Sequence, residues 1–267
     1  MKVFLSCDIE GTNGICDWRE TEIGTSDIGY FANRMTKEAA AVCNGINSFD
    51  SCAQIYVKDA HDSARNLDHD KLPLNVSLNR GWAYGPYSMM HGIDPSFDAA
   101  VFTGYHNAGG TDTNPLAHTM SFTSLVYLKI NGRIASEFLV NYYSSLYNKV
   151  PVVMVSGDAG LCESVKSIDK NIYTVVTSVG LGGSVTSEHP SLTLKKLEET
   201  ARKALEERAK MSLALPDKFI VEVYHKNHKN AYKHSFFPGA YAVDANITGY
   251  ECTDYLDFLK FFMFRPS

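Results

Sequence analysis

The amino-acid sequence predicts an α/β fold with a mostly parallel central sheet flanked by helices and a smaller C-terminal α/β portion. Three observations predict it. Short β-branched apolar runs alternate with helix-length segments, the pattern of parallel sheets joined by crossover helices. The chain has 267 residues, enough to bury a full core without disulfides or a structural metal. No repeat, low-complexity tract or linker interrupts it.

In chain order, residues 3–7 read as a strand, 28–48 as a helix, 53–57 and 99–105 as strands, 126–130 as another, and 134–148 as a helix. A strand over 150–155, a helix over 159–168 and a strand over 173–179 follow. The glycine-rich run Gly180-Leu181-Gly182-Gly183-Ser184 then breaks the pattern, before an amphipathic helix predicted over 192–211. Strands over 219–224 and 241–245 and a closing helix from about residue 253 complete the reading. A soft boundary near residue 180 divides a core, 1–180, from a smaller C-terminal portion, 181–267, packed on it, the two counting as two domains or as one.

Composition narrows the function classes. The formal charge of −5 argues against a nucleic-acid binder that lives on phosphate contacts. The N-terminal apolar run stops at Asp8, so it is not read as a signal peptide, and no stretch reaches the ~18 apolar residues of a membrane span. Six cysteines without a C-x-x-C pair read as free thiols. The expectation is a cytoplasmic enzyme without nucleic-acid or membrane partners.

The chemistry gathers at strand ends. The first strand delivers Asp8-Ile9-Glu10-Gly11, whose two carboxylates lie two residues apart and so share a face. The second ends in Asp59-Ala60-His61, and the 99–105 strand runs into His106. In an open α/β sheet the carboxyl ends of the strands line the ligand crevice, so Asp8, Glu10, His61 and His106 are aimed at one region. His118, in a loop that Pro115 keeps from being regular helix, and Glu137, just after the Asn131-Gly132 turn, are further candidates. Carboxylate and imidazole ligands suit a divalent transition ion. Three carboxylates and two histidines are many for one catalytic zinc but enough for two ions if Asp8 bridges. Asp59 would either orient His61 or cap the loop that follows it.

These pieces, Ser6-Cys7-Asp8-Ile9-Glu10-Gly11, Asp59-Ala60-His61 with Asn66-Leu67, Gly104-Tyr105-His106, Ala117-His118-Thr119-Met120, Asn131-Gly132 to Glu137 and Val155-Ser156-Gly157-Asp158, form an ordered set. With that order and spacing the sequence resembles the dinuclear zinc D-aminopeptidases of the bacterial dipeptide-operon type. The resemblance implies that Asp8, Glu10, His61, His106 and Glu137 hold two Zn²⁺ ions, with Asp8 shared. It further implies that His118 is the catalytic residue, as general acid/base or as nucleophile, and that short peptides with an N-terminal D-amino acid are the substrates. A cytoplasmic homo-oligomeric ring, decamer-like, is implied in the same way. The sequence departs from the family pattern at Ser178 and Gly183, where basic residues usually occur, and at Ser136, where glycine is usual.

A dinuclear phosphoesterase would share such ligands but would add basic residues for phosphate, and near these motifs stand only Lys58, Arg65 and Arg133. A dinuclear amidase or L-aminopeptidase, and a metal-binding relative without turnover, are the other rivals. The run from His225 to His234 reads as a solvated loop or helix face, and Gly180 to Ser184 as an ordinary turn.

Overall fold

In the computed structural model, which describes residues 1–266, twelve strands form two sheets. The chain opens with β1 (Lys2–Cys7), α1 (Ile28–Phe49), β2 (Gln54–Asp59), β3 (Val76–Asn79) and β4 (Ala99–Tyr105). It then leaves the first sheet for the hairpin β5 (Leu125–Ile130) and β6 (Arg133–Ile134), and returns through α2 (Glu137–Tyr147) to β7 (Val152–Asp158). After α3 (Ala159–Ile168), β8 (Tyr173–Leu181), β9 (Ser184–Thr186) and α4 (Pro190–Glu206) come β10 (Phe219–His225), α5 (His228–His234), β11 (Tyr241–Asp244), β12 (Ile247–Cys252) and α6 (Tyr255–Met263).

The first sheet has the order β3-β2-β1-β4-β7-β8-β9, parallel except for β9. Its inner strands β4 and β7 are buried along their whole length, which is why they read as continuous apolar runs. The second sheet, β11-β12-β10-β5-β6, is antiparallel, and β10 alternates buried and less buried residues, as a strand with one face on the core should. The fold class is therefore the expected one. Residue 180 does not separate the sheets: β5 pairs with β10 across it, and α4 packs on α1 of the first sheet.

Helices fill the space around the sheets according to their apolar stripes. On α4, Thr193, Leu197, Ala201, Ala204 and Leu205 are buried at helical spacing. Gly45 lets α1 come close to it, since a Cβ there would lie 2.2 Å from the Glu198 carbonyl oxygen. This helix starts at Pro190, favoured in a first turn, rather than at 192, and stops at Glu206. On the second sheet α6 packs against β10 and β12, and the Tyr255 hydroxyl donates to the Val140 carbonyl at 2.6 Å, tying α6 to α2.

Two local readings are corrected. The histidine run is not a solvated face at its ends: His225 and His234 are buried, and their rings meet at 3.2 Å between Nε2 and Nδ1. His234 donates from Nε2 to the Phe261 carbonyl, so its Nδ1 accepts from His225, and burial holds the His225 pKa down at about 4. Beyond the strand expected over 241–245, the chain forms a further one, β12, with Gly249 in its interior. Tyr241 of β11 lies across that glycine, where a Cβ would come within 2.4 Å of the ring.

One buried acid braces the loop after β1. Glu38 of α1 accepts from the Asn13 backbone N–H at 2.9 Å, and its Oε2 has no partner. Burial raises its pKa from 4.5 to about 7. Between those values the unfolded chain releases the proton and the folded chain keeps it, so stability falls as pH rises, by about 3 kcal/mol in all. Urea unfolding at pH 5 and pH 8 should show the wild type losing about 2.5 kcal/mol relative to Glu38→Gln, the part of the effect that falls in that window. Parallel profiles would refute the assignment.

Candidate metal centre

The strand order places a topological switch point between β1 and β4, where connections leave in opposite directions. There the ends of β1 and β4 are stitched together by backbone hydrogen bonds. The Asp8 N–H donates to the Thr103 carbonyl at 2.9 Å and the Gly11 N–H to the Gly104 carbonyl at 2.8 Å. Glycine is required because a Cβ on Gly11 would lie 1.7 Å from the Tyr105 carbonyl oxygen, and one on Gly157 would lie 1.9 Å from the same atom. Close backbone approach is thus what the glycine in the D-x-E-G motif serves.

The structure brings all six candidate residues together. Asp8 and Glu10 follow β1, His61 follows β2 and His106 follows β4. His118 comes from the β4–β5 loop, and Glu137 is the first residue of α2, where the helix N-terminus favours a carboxylate and Ser136 caps by accepting from the Leu139 N–H. His61 Nδ1 lies 3.3 Å from Asp8 Oδ1 and 3.1 Å from Glu10 Oε2. On the other side, His106 Nε2 lies 3.6 Å from both Asp8 Oδ2 and Glu137 Oε2. The two oxygens of Asp8 therefore face two different ligand sets, Asp8–Glu10–His61 and Asp8–His106–Glu137. A third grouping, Glu10–His106–His118, puts His118 Nε2 at 3.4 Å from Glu137 Oε1 and 3.9 Å from Glu10 Oε1.

Each histidine is oriented by a backbone carbonyl. His61 Nε2 faces the Thr21 oxygen at 2.9 Å, His106 Nδ1 the Asn107 oxygen at 2.8 Å, and His118 Nδ1 the Leu116 oxygen at 3.0 Å. A carbonyl accepts only from N–H, so the opposite nitrogens, which face the carboxylates, are the ones free to bind a cation or to carry a second proton. Asp8 Oδ2, Glu10 Oε2 and His106 Nε2 are buried without hydrogen-bond partners. Lone pairs converging from acids and imidazoles are what a divalent cation demands, so this donor set fits one.

In the chain alone, protons supply the missing positive charge. Burial opposes charging His61 and His106, but Glu10 with Asp8, and Glu137 with Glu10, outweigh it and pull both pKa values well above the usual imidazole range. The carboxylates split. Burial and the neighbouring Glu10 push Asp8 well up, whereas the histidines overcome burial at Glu10 and at Glu137, lowering the latter to about 2. His118 goes the other way: burial, then the charge on His106, lowers it. Its imidazole is neutral at pH 7, and it stacks on His106 with ring centroids 4.3 Å apart.

The centre opens into a cavity of about 380 Å³. Trp18, on a 3-10 turn closed by a capping box between Asp17 and Glu20, stacks on Phe122 at 4.1 Å and sets its edge against His118. Neither aromatic was singled out from sequence, since both sit on loops without periodicity. Arg265 also lines the cavity, on a tail read only as packed helix. Asp59 does not touch the His61 ring. It accepts from the backbone N–H groups of Asn66 and Leu67, at 2.6 and 2.7 Å, and so caps the loop. Lys58 is turned to the Gly81 carbonyl and Arg133 to Ser167. The Gly182–Gly183 turn closes the β8–β9 hairpin and does not line the cavity.

Comparison with known proteins adds the following. A family model described as D-aminopeptidase matches residues 1–264. The D-aminopeptidase of Bacillus subtilis (strain 168) is 30% identical over 244 residues, spanning 90% of this chain and 86% of that protein. A solved structure, described as the Zn-dependent D-aminopeptidase DppA from Bacillus subtilis, a self-compartmentalizing protease, superposes with a TM-score of 0.91. It is 26% identical and covers 98% of this chain and 96% of its own.

Because the histidines hold protons where a cation would sit, metal uptake must expel them. Zinc added to chelator-treated protein should release protons into weak buffer and raise the unfolding midpoint, more at pH 8 than at pH 6. Uptake without proton release would contradict the charge assignment.

Proposed function

The chain belongs to the D-aminopeptidase family, and from that premise we propose that it is a zinc-dependent aminopeptidase releasing N-terminal D-amino acids from short peptides. The observation that carries the proposal is the divided carboxylate of Asp8, whose oxygens face separate ligand sets. In this reading Asp8, Glu10 and His61 hold one ion, and Asp8, His106 and Glu137 hold the other. Ions held by these residues would supply Lewis-acid polarisation of the scissile carbonyl and a lowered pKa for water.

The chain's own residues supply the rest. His118 takes the proton of the attacking water on Nε2 while its Nδ1–H remains anchored on the Leu116 carbonyl, and passes it to the leaving amine as the C–N bond breaks. Its lowered pKa supports a neutral base at pH 7. Trp18 and Phe122 wall that ring from water on one side. Glu22 and Asp62, the lining acids outside the two ligand sets, favour the cationic α-amine of a peptide N-terminus.

We extend the proposal to a homo-oligomeric ring, decamer-like, in the cytoplasm. Tyr84, Tyr232, Phe236 and Phe264 are large apolar side chains left exposed in one protomer, and no helix among the described residues is long and apolar enough to cross a membrane. A sedimentation mass of one protomer would remove the ring from the proposal.

The activity is tested on purified protein with paired D- and L-dipeptides, an aryl phosphate control and metal analysis. Release of D-amino acid with two metals per chain is expected; L-selectivity, phosphate release or no turnover would refute it. Asp8→Ala should lose metal and activity together. His118→Ala should keep both metals and lose about 10²- to 10⁴-fold in kcat. Loss of metal in that variant would make His118 a ligand.

A further inference from the structure

A second cavity of about 220 Å³ adjoins the first, and the two share Trp82, Ser88, Met120 and Arg265. The second is lined chiefly by apolar and aromatic side chains, among them Tyr87, Leu259, Phe262 and Met263. Charge in the first is lopsided. Besides its histidines, its ionisable lining consists of Asp8, Glu10, Glu22, Asp62 and Glu137, with Arg265 as the one basic side chain among the described residues.

Among the described residues Arg265 is held but not neutralised. Its Nη1 donates to the Phe262 carbonyl at 2.8 Å, and the guanidinium lies 4.2 Å above the Phe262 ring. Among the described residues no carboxylate lies within ion-pair distance of it, and none accepts a hydrogen bond from its other N–H groups. Burial lowers its pKa to about 10, against the pull of Glu137, so it stays a cation at neutral pH. A part-buried, pre-oriented guanidinium with free donors, at the mouth between an acidic and an apolar cavity, has the chemistry of a carboxylate receptor.

We infer that Arg265 receives the C-terminal carboxylate of the peptide, and that the second cavity takes the side chain of the residue bearing it. The inference rests on the aminopeptidase reading and sharpens its substrate class to dipeptides with a free carboxylate. In a dipeptide that carboxylate lies one residue, roughly 3.5 Å of chain, beyond the scissile bond. Direction follows from charge: Arg265 attracts the carboxylate and repels the α-amine, so the peptide N-terminus lies on the side of the metal centre.

The test compares D-alanyl-glycine with D-alanyl-glycinamide on zinc-loaded full-length protein. The two share the scissile bond and differ only in the terminal charge. Wild type should prefer the free acid by roughly 10- to 100-fold in kcat/KM, the worth of a charge-assisted hydrogen-bond pair. Arg265→Met should remove that preference, mainly through KM, while leaving the amide within about threefold. Arg265→Lys should recover part of it. Equal losses on both substrates would assign Arg265 to supporting the centre and overturn the inference. So would a wild-type ratio near one, which needs no variant to fold. Release of D-alanine from neither substrate by the wild type would refute the activity itself, a separable outcome.

Discussion

Three carboxylates, Asp8, Glu10 and Glu137, are buried together at the carboxyl ends of a parallel sheet. Removing one carboxylate from water costs several kcal/mol, and like charges side by side cost more. The cluster can be anionic only with positive charge among its oxygens. Much of the surrounding structure answers that demand. Three imidazoles are turned by the carbonyls of Thr21, Asn107 and Leu116 so that their free nitrogens face the acids. The Asn114 side chain ties the Glu10 carbonyl to Asp158, which caps α3.

How much of this was legible in the sequence depends on how local the signal is. Asp8, Glu10, His61 and His106 have an address, the end of an apolar run, and strand topology turns that address into convergence. His118 and Glu137 have weaker addresses, a proline loop and the start of a helix, and a resemblance to known enzymes was needed to join them to the others. Trp18, Phe122 and Arg265 carried no signal, because what brings them to the cavity is tertiary packing of loops and of the segment after α6. The same holds for His225 and His234: a basic run looks solvated until a neighbouring helix covers its two ends.

The fold shows a parallel division. Continuously apolar β4 and β7 were readable as strands, since both faces are covered. Which sheet β5 joins was not readable, because its partner β10 lies far along the chain and strand pairing leaves no mark in one strand's own composition. That long-range pairing carries the segment holding Glu137 back over the first sheet, so the centre draws on segments that belong to both sheets.

This crossing has a mechanical consequence. Asp8, Glu10, His61 and His106 ride on the first sheet, whereas Glu137 follows a hairpin that belongs to the second. An ion held by Asp8, His106 and Glu137 would act as a removable clasp between the sheets, closing a long loop of chain much as a crosslink does. Loading and unloading the centre would then change how independently the sheets can breathe, tying the rigidity of the whole protomer to the supply of metal.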